Sequence, residues 1–294
     1  MRNAILILTV VALVACGRPN DGTGSGGRAL IQNKGSDTLV NVAQAWAENY
    51  KDVHSDVAVA VTGGGSGTGI SSLINGTVDI ANSSRKMKDK ELAMARANGV
   101  EPVEFIVGFD ALAVYVHPDN PRDSFTLVEL AESYGEDGAT EEGTPRDMDI
   151  PGCNSSEIVR VSRQNNSGTY VYFKEAVLGK GRDYKLGSRD MHGSKDVVDL
   201  VAHTPCAIGY SGLAYSTPEV KAVAIATKDG ATPVAPSTDT AIDGSYPIAR
   251  PLFMYTAGEP TGAVKEYLDW ILSDEGQRII LDKGYAPVRD LNAN

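Results

Sequence analysis

The chain has 294 residues, a formal net charge of −11 and only four histidines. This negative balance argues against nucleic acid as a partner, because the phosphate backbone is bound mainly by clustered Lys and Arg. It also means that a bound anion must be held by local hydrogen-bond donors, since the effect of net charge is screened over roughly 8 to 10 Å in physiological salt.

Residues 1–15 have the features of a secretion signal. Arg2 gives a basic start, an apolar run covers residues 5–14, and Leu13-Val14-Ala15-Cys16 forms a lipobox. The run is too short to span a bilayer comfortably. We therefore expect a lipoprotein signal peptide at 1–15, palmitate on Cys16, and a protein that is anchored to the membrane without spanning it. The alternative, a short uncleaved anchor, leaves the position of Cys16 unexplained.

Residues 16–28 are rich in Gly, Pro, Asn and Ser, which predicts a flexible tether. About 265 residues follow, more than one small core usually holds, and this length suits two lobes. In this part, β-type runs alternate with amphipathic helical segments, which predicts an α/β fold. These segments are residues 57–61, 70–75, 103–107, 111–116, 126–134, 158–162 and 170–178.

Three further segments have predicted structural roles. Residues 39–50 place their apolar side chains, Trp46 included, on one helical face, which indicates packing against the core. Residues 134–156 are rich in carboxylates but lack EF-hand spacing, so an exposed loop is favoured over a calcium site. Residues 263–283 predict two packing helices.

The cysteines and histidines do not form a metal-binding pattern. With Cys16 lipidated, Cys153 and Cys206 remain, and these can form a disulfide in an oxidising compartment or stay as two buried thiols. Their spacing is not that of a zinc site and the histidines are scattered. We expect neither a metal nor a cofactor.

The tripeptide Ser-Gly-Thr occurs twice, at residues 66–68 and 167–169, each time between a β-type run and a helical pattern. A helix start presents unpaired N–H groups and the positive end of the helix dipole, and Gly lets a ligand approach closely. A single copy would indicate ordinary helix capping. Two copies, one in each half of the chain, favour two helix starts that face each other across a cleft and bind an anion.

Two arginines stand next to these motifs. Arg163 precedes the second Ser-Gly-Thr by a short loop, and Arg85 follows Ser83 and Ser84 at the end of a strand-like run. A guanidinium can offer a bidentate fork to an oxyanion. An ion pair at the protein surface is the more usual role of an arginine. The sequence leaves both interpretations open.

Two catalytic interpretations fail on the residues themselves. Residues 64–69 have the glycine spacing of a P-loop, but Ile70 stands where Lys is required. A nucleophile elbow requires Gly two residues after Ser, and Thr68 occupies that position after Ser66. No histidine has the sequence context of a base for Ser66 or Ser167. A serine-dependent phosphatase or other hydrolase is therefore the less favoured alternative to a binding protein.

These motifs resemble those of the phosphate-binding (PstS-type) components of ABC importers, which are type II periplasmic binding proteins. The resemblance covers nearly all of the chain after residue 28. It rests on Gly35-Ser-Asp-Thr-Leu39, Gly63-Gly-Gly-Ser-Gly-Thr-Gly-Ile70, Asp79-Ile-Ala-Asn-Ser-Ser-Arg85, Arg163-Gln-Asn-Asn-Ser-Gly-Thr169, Ala207-Ile-Gly-Tyr210 and Tyr246-Pro-Ile-Ala-Arg250.

The resemblance implies an α/β fold of two lobes with a ligand cleft between them, lobe I from residues 29–108 and 250–294 and lobe II from residues 109–249. The phosphate-binding residues that it implies, together with the neighbouring candidates, are Asp37, Thr38, Ser66, Ser84, Arg85, Arg163, Ser167, the N–H of Gly168, and Thr169. Many relatives have an aspartate at the position of Ser84, where it accepts a hydrogen bond from protonated phosphate. Here a carboxylate is present at Asp37 instead, so we expect Asp37 to be the acceptor.

The function that the resemblance implies is capture of inorganic phosphate and its delivery to the permease subunits of an ABC importer, without catalysis. We expect a monomer, in the periplasm or at the outer cell surface, held to the membrane by its lipid anchor. Alternatives among binding proteins are sulfate, molybdate or an organic phosphate as ligand. A further alternative is a lipid-anchored sensor or adhesion protein that has kept the fold.

Overall fold

The computed structural model describes residues 28–138, 150–153 and 158–291. The strands are β1 (Ala29–Gly35), β2 (Val57–Thr62), β3 (Ile80–Ser83), β4 (Val103–Val116), β5 (Ser124–Thr126), β6 (Val159–Arg163), β7 (Arg189–Met191), β8 (Ala207–Gly212), β9 (Lys221–Ala226) and β10 (Ala249–Thr256). The α-helices are α1 (Val40–Val53), α2 (Ser66–Ile74), α3 (Asp89–Ala97), α4 (Leu127–Tyr134), α5 (Gly168–Phe173), α6 (Ser194–Ala202), α7 (Thr238–Ile242), α8 (Gly262–Ile271) and α9 (Asp274–Asp282). A π-helical segment, Lys174–Leu178, continues α5, and a 3₁₀ helix, Leu213–Tyr215, follows β8.

The predicted signal peptide, the tether before residue 28 and Cys16 lie outside the described residues, as does most of the predicted acidic loop. Within the described ranges, no helix combines the length and the apolar character that a membrane span requires.

Strand β4 connects the two halves of the sheet, whose strand order is β2-β1-β3-β10-β4-β8-β6-β7. Strand β1 is parallel to β2 and β3, and β10 is antiparallel to β3 and β4. The first part of β4 pairs with β10, whereas its second part pairs with β8 and β9. A single strand of 14 residues therefore runs from one half of the molecule into the other.

Buried apolar side chains form separate cores on the two sides of this crossing. One pair of clusters takes its buried residues from 31–107 and 252–285. The other pair takes them from 111–248, with Ala286 added from the C-terminal segment. We use the names lobe I and lobe II for these two halves. The predicted alternation of strands and helices is present, and the lobe boundaries given by the resemblance stay a prediction.

The C-terminal helices return to lobe I, where they pack on the first helix. The predicted helix at 39–50 is α1, whose buried face includes Val42, Trp46 and Tyr50. Trp46 Nε1 donates to the carbonyl oxygen of Gly276 in α9 at 2.7 Å. The two predicted packing helices are α8 and α9, and their apolar faces complete the same core.

The parallel strands of both lobes end in loops at the cleft. In lobe I, β1 and β3 lead into the segments after Gly35 and Ser83, and the loop after β2 leads into α2. In lobe II, β6 ends at Arg163 and leads into α5. Ligands of open α/β sheets bind at such carboxyl ends. Gly35 has φ +146°, and a Cβ there would lie 2.1 Å from the Asn82 carbonyl oxygen, so this approach of β1 to β3 requires glycine.

Cys153 and Cys206 form a disulfide, with their Cα atoms 5.0 Å apart. Of the two alternatives that the sequence left open, the structure has the bonded one. The bond ties the segment before β6 to the segment before β8, and it closes a separation of 53 residues within lobe II. Such a cross-link stabilises a fold mainly by restricting the unfolded chain.

We predict that the variant Cys153→Ala/Cys206→Ala loses about 2 to 4 kcal/mol of unfolding free energy, because its unfolded chain is no longer cross-linked. Urea unfolding in oxidising buffer measures the loss. Reductant should lower the wild-type midpoint towards that of the variant and should leave the variant unchanged. Equal midpoints for both proteins in oxidising buffer would contradict the prediction.

Candidate anion-binding site

Three serine hydroxyls of lobe I meet where β1, β3 and α2 come together. Ser36 follows β1, Ser66 begins α2 and Ser84 follows β3. Ser36 Oγ donates to Ser84 Oγ at 3.0 Å, Ser66 Oγ lies 3.4 Å from Ser84 Oγ, and the Ser84 N–H donates to Ser66 Oγ at 3.1 Å. All three residues are buried. Hydroxyl groups can reorient to donate to an oxyanion, so this cluster is a candidate donor set.

The lobe II side is formed by the end of β6 and the start of α5. Ser167 is the N-cap of α5, and its Oγ accepts the N–H of Thr169 at 3.1 Å. Ser167 therefore has the capping role that one copy of the motif alone predicted, while its hydroxyl proton remains available as a donor. Thr169 is buried, and its Oγ1 lies 3.0 Å from Oγ1 of Thr38 in lobe I.

Arg163 is fully buried and joins the two lobes. Its Nη2 donates to Asp37 Oδ2 at 3.1 Å and to the His192 carbonyl at 2.8 Å, and its Nη1 donates to Ser194 Oγ at 3.0 Å. Burial lowers the pKa of Arg163 and the Asp37 carboxylate opposes this shift, so the guanidinium stays charged. Its Nε is buried without a hydrogen-bond partner among the residues described, which leaves this charged N–H for a ligand.

Asp37 is held by donors from both lobes. Its Oδ1 accepts the N–H of Gly64 at 2.8 Å, while Oδ2 accepts from Arg163. The loop that contains Asp37 is fixed from behind, since Tyr215 donates its hydroxyl to the Asp37 carbonyl at 2.6 Å and Tyr285 donates to the Thr38 carbonyl. Each carboxylate oxygen can accept more than one hydrogen bond, so Asp37 can still accept from a protonated ligand.

The two Ser-Gly-Thr motifs face each other, and the lobes are in contact around them. A Cβ on Gly168 would lie 2.2 Å from Ser66 Oγ and 2.6 Å from Ser84 Oγ, so any larger residue there would displace these two hydroxyls. The Gly67 N–H at the start of α2 donates to the Asn166 carbonyl at 2.9 Å. One of the N–H groups at the start of α2 therefore already has a hydrogen-bond acceptor in lobe II.

The Arg85 guanidinium is directed at Glu91, with which it forms an ion pair, and not at the serine hydroxyls of lobe I. Nη1 and Nη2 of Arg85 donate to the two carboxylate oxygens of Glu91 at 2.8 and 2.7 Å, and Nη1 also donates to the Lys86 carbonyl. Burial alone would raise the pKa of Glu91, but Arg85 and the Lys88 N–H lower it overall. The structure thus has an ion pair at Arg85, as one interpretation held, but the pair is largely buried and not at the protein surface. The Nε of Arg85 is left without a partner among the described residues.

Arg250 is not among the site residues predicted from the sequence, yet it lies directly behind Thr38 and Thr169. Its Nη2 donates to Asp110 Oδ2 at 2.7 Å and reaches Thr169 Oγ1 at 3.1 Å and Thr38 Oγ1 at 3.3 Å. Its Nη1 donates to the Ser84 carbonyl at 3.3 Å. Arg250 ends Tyr246-Pro-Ile-Ala-Arg250, one of the motifs on which the family resemblance rests. That position was the feature of the sequence that could have pointed to a role in the site.

The groups at the site are mainly hydrogen-bond donors, which suits a ligand that accepts hydrogen bonds, such as an anion. Among residues 28–138, 150–153 and 158–291, no group of three His, Cys, Asp or Glu side chains could hold a metal ion. Of the predicted site residues, the structure brings together Asp37, Thr38, Ser66, Ser84, Arg163, Ser167, Gly168 and Thr169. Most of the groups that converge here are donors, and they come from both lobes.

Comparison with known sequences identifies relatives over nearly the whole chain. A family model described as a PBP superfamily domain matches residues 19–275. The phosphate-binding protein PstS of Pseudomonas aeruginosa is 34% identical over 290 residues, which cover 95% of this chain and 90% of that protein. Protein SphX of Synechococcus elongatus is 31% identical over 299 residues, which cover 98% and 86%.

Comparison with solved structures gives the same result for the fold. A crystal structure with bound phosphate from Clostridium perfringens, assigned to a phosphate ABC transporter, is 30% identical with a TM-score of 0.77 and covers 88% of this chain and 100% of that one. An ABC-type phosphate transport receptor from Vibrio cholerae is 26% identical with a TM-score of 0.67 and covers 87% and 99%. Because these relatives are binding proteins of transporters, the serine hydrolase alternative is set aside. The chain therefore belongs to the PstS-type phosphate-binding proteins of ABC importers, and it has the two-lobed α/β fold of periplasmic binding proteins.

Proposed function

We propose that this protein captures inorganic phosphate between its lobes and delivers it to the permease of an ABC importer. The observation that carries the proposal is the buried guanidinium of Arg163, which lies between the lobes with an Nε that has no hydrogen-bond partner in the described part of the chain. Its neighbours are hydroxyl and N–H groups of both lobes. Phosphate is an oxyanion that such donors can surround on several sides.

The charges at the site favour an anion held by hydrogen bonds. Arg250 is paired with Asp110 and Arg163 is paired with Asp37, so the four side chains sum to no net charge. An incoming anion is then stabilised by the neutral donors of the serine and threonine hydroxyls and by backbone N–H groups at helix starts. This explains how a protein with a net charge of −11 can bind an anion.

We propose a ligand set that follows the structure. The direct ligands are the hydroxyls of Thr38, Ser66, Ser84, Ser167 and Thr169, the N–H of Gly168, the guanidinium of Arg163 and the carboxylate of Asp37. Arg85 is assigned a minor role, because Glu91 already accepts from both of its terminal nitrogens. Its charge lies beside Gly67 at the start of α2 and adds to the positive potential there.

The remaining proposals concern the location of the protein and its partners. We assign residues 1–15 to a signal peptide, Cys16 to lipidation and residues 16–28 to a tether between the membrane and the lobes. The protein then acts as a monomer outside the cytoplasm. Phosphate closes the lobes by a hinge motion at the crossing strands, and the closed form presents one surface to the permease.

Titration calorimetry of the purified full-length protein tests the ligand. We predict saturable binding of phosphate at a 1:1 ratio and much weaker binding of sulfate and molybdate, since only phosphate offers a proton to Asp37 near neutral pH. Tight binding of sulfate or molybdate without binding of phosphate would assign the site to another oxyanion. Absence of heat with all three anions would contradict an oxyanion-binding function.

We predict that Arg163→Ala weakens phosphate binding by about 3 kcal/mol or more, which is roughly a 100-fold rise in Kd. The change removes a charged donor and leaves both the anion and Asp37 underpaired. Arg122→Ala is the matched control, since Arg122 pairs with Glu129 in lobe II away from the cleft, and its Kd should equal that of the wild type. A Kd for Arg163→Ala within twofold of wild type would show that Arg163 is structural.

We predict that Asp37→Asn keeps the fold and much of the phosphate binding but admits sulfate. A carboxylate accepts a hydrogen bond from protonated phosphate, whereas it meets only lone pairs and like charge on sulfate. The amide N–H of the Asp37→Asn variant can donate to a sulfate oxygen, so the repulsion between the carboxylate and sulfate is lost. Competition of sulfate with phosphate, measured by calorimetry, should rise in the variant. Continued exclusion of sulfate, with only thermal stability reduced, would restrict Asp37 to holding the Gly64 N–H and Arg163.

A further inference from the structure

Arg250 and Asp110 form a buried ion pair on the two strands at the crossing between the lobes. They are directly opposite each other in the register of β4 and β10, and both side chains are 0% exposed. Nε and Nη2 of Arg250 donate to the same oxygen, Asp110 Oδ2, at 3.0 and 2.7 Å. The pair thus fixes the guanidinium in one orientation behind the site.

The fixed guanidinium holds the hydroxyls of Thr38 and Thr169 from behind. Nη2 has two hydrogens, and with one on Asp110 the other points between Thr169 Oγ1 at 3.1 Å and Thr38 Oγ1 at 3.3 Å. A guanidinium cannot accept a hydrogen bond. Each threonine oxygen therefore accepts from Arg250 with one of its own lone pairs. The hydroxyl proton of each threonine must then point away from Arg250, towards another acceptor.

The consequence is a pair of hydroxyls that are prepared to donate. The two oxygens are 3.0 Å apart, so without a ligand one of them donates to the other. A ligand oxygen in front of the pair can receive both protons, one from Thr38 in lobe I and one from Thr169 in lobe II. A ligand hydroxyl that had to donate would be left with the one remaining lone pair of a threonine oxygen, next to a positively charged guanidinium that disfavours the approach of its proton.

We propose that Arg250, oriented by Asp110, is a positioning residue that sets Thr38 and Thr169 as donors to an unprotonated oxygen of the bound oxyanion. This inference rests on the proposed function and adds a second arginine to it. Arg250 acts through the threonines, because its charge is balanced by Asp110 and its other terminal nitrogen donates to the Ser84 carbonyl. The proton of phosphate is thereby directed away from this corner, towards Asp37 and the serine cluster.

A double-mutant cycle with phosphate affinity as the readout tests the inference. Arg250→Lys keeps a positive charge for Asp110, but a single ammonium cannot span Asp110 and both threonines. In the full-length protein, Arg250→Lys should raise the Kd for phosphate about tenfold or more. In a Thr169→Val background, the same change should cost about threefold or less, since one of the two hydroxyls that it orients is already absent.

Two further variants make the outcome decisive. Tyr172→Phe is the matched control, because it removes only the hydroxyl that donates to the Ala249 carbonyl and keeps the ring, whose centroid lies 5.5 Å from Arg250 Cζ, so its Kd should stay at the wild-type value. If Arg250→Lys does not fold, Asp110→Asn/Arg250→Gln takes its place in the cycle, since it removes the guanidinium without leaving Asp110 as an unpaired buried charge.

The result that overturns the inference is an equal loss of affinity in both backgrounds, or no loss at all, in a protein whose wild type binds phosphate. Such additivity would mean that the pair stabilises the fold without orienting the threonines. Failure of the wild type to bind phosphate would instead contradict the proposed function, so the two failures are distinguishable.

Discussion

A fully buried guanidinium at the boundary between two lobes is the constraint on which the rest of this structure depends. Arg163 cannot be desolvated without partners, and it finds them in lobe II at Ser194 and His192 and in lobe I at Asp37. The loop of Asp37 must then be rigid, and the hydroxyls of Tyr215 and Tyr285 hold its backbone. The glycines at the contact between the lobes follow from the same requirement, since side chains there would keep the lobes apart.

The sequence predicted the fold and the two facing motifs of the site because these signals were local. Alternating β-type and helical segments predicted the α/β class, and the repeated Ser-Gly-Thr motif placed Ser66 and Gly168 at two helix starts that the structure brings face to face. Its position four residues before the second motif made Arg163 a candidate, and the resemblance to the phosphate-binding family implied its role as a ligand. These features depend on neighbours within a few residues, which a sequence displays directly.

The arrangements of the other two arginines, Arg85 and Arg250, could not be predicted in the same way. Arg85 directly follows Ser84, which enters the site, but Glu91 at the start of α3 accepts from both of its terminal nitrogens. Arg250 reaches Asp110, 140 residues earlier in the chain, only because β10 pairs with β4 in one register. Register between strands that are distant in sequence is not readable from local patterns, and a small shift would have moved Arg250 off Asp110.

If residues of both lobes surround one phosphate ion, as we propose, a crystal structure of the protein grown with phosphate tests this arrangement most directly. We predict a tetrahedral anion within hydrogen-bond distance of Arg163 Nε and of the hydroxyls of Thr38, Ser66 and Thr169. The Asp110–Arg250 pair should be unchanged behind the threonines. A structure with these side chains bonded only to one another, and with phosphate absent or bound outside the cleft, would contradict the claim.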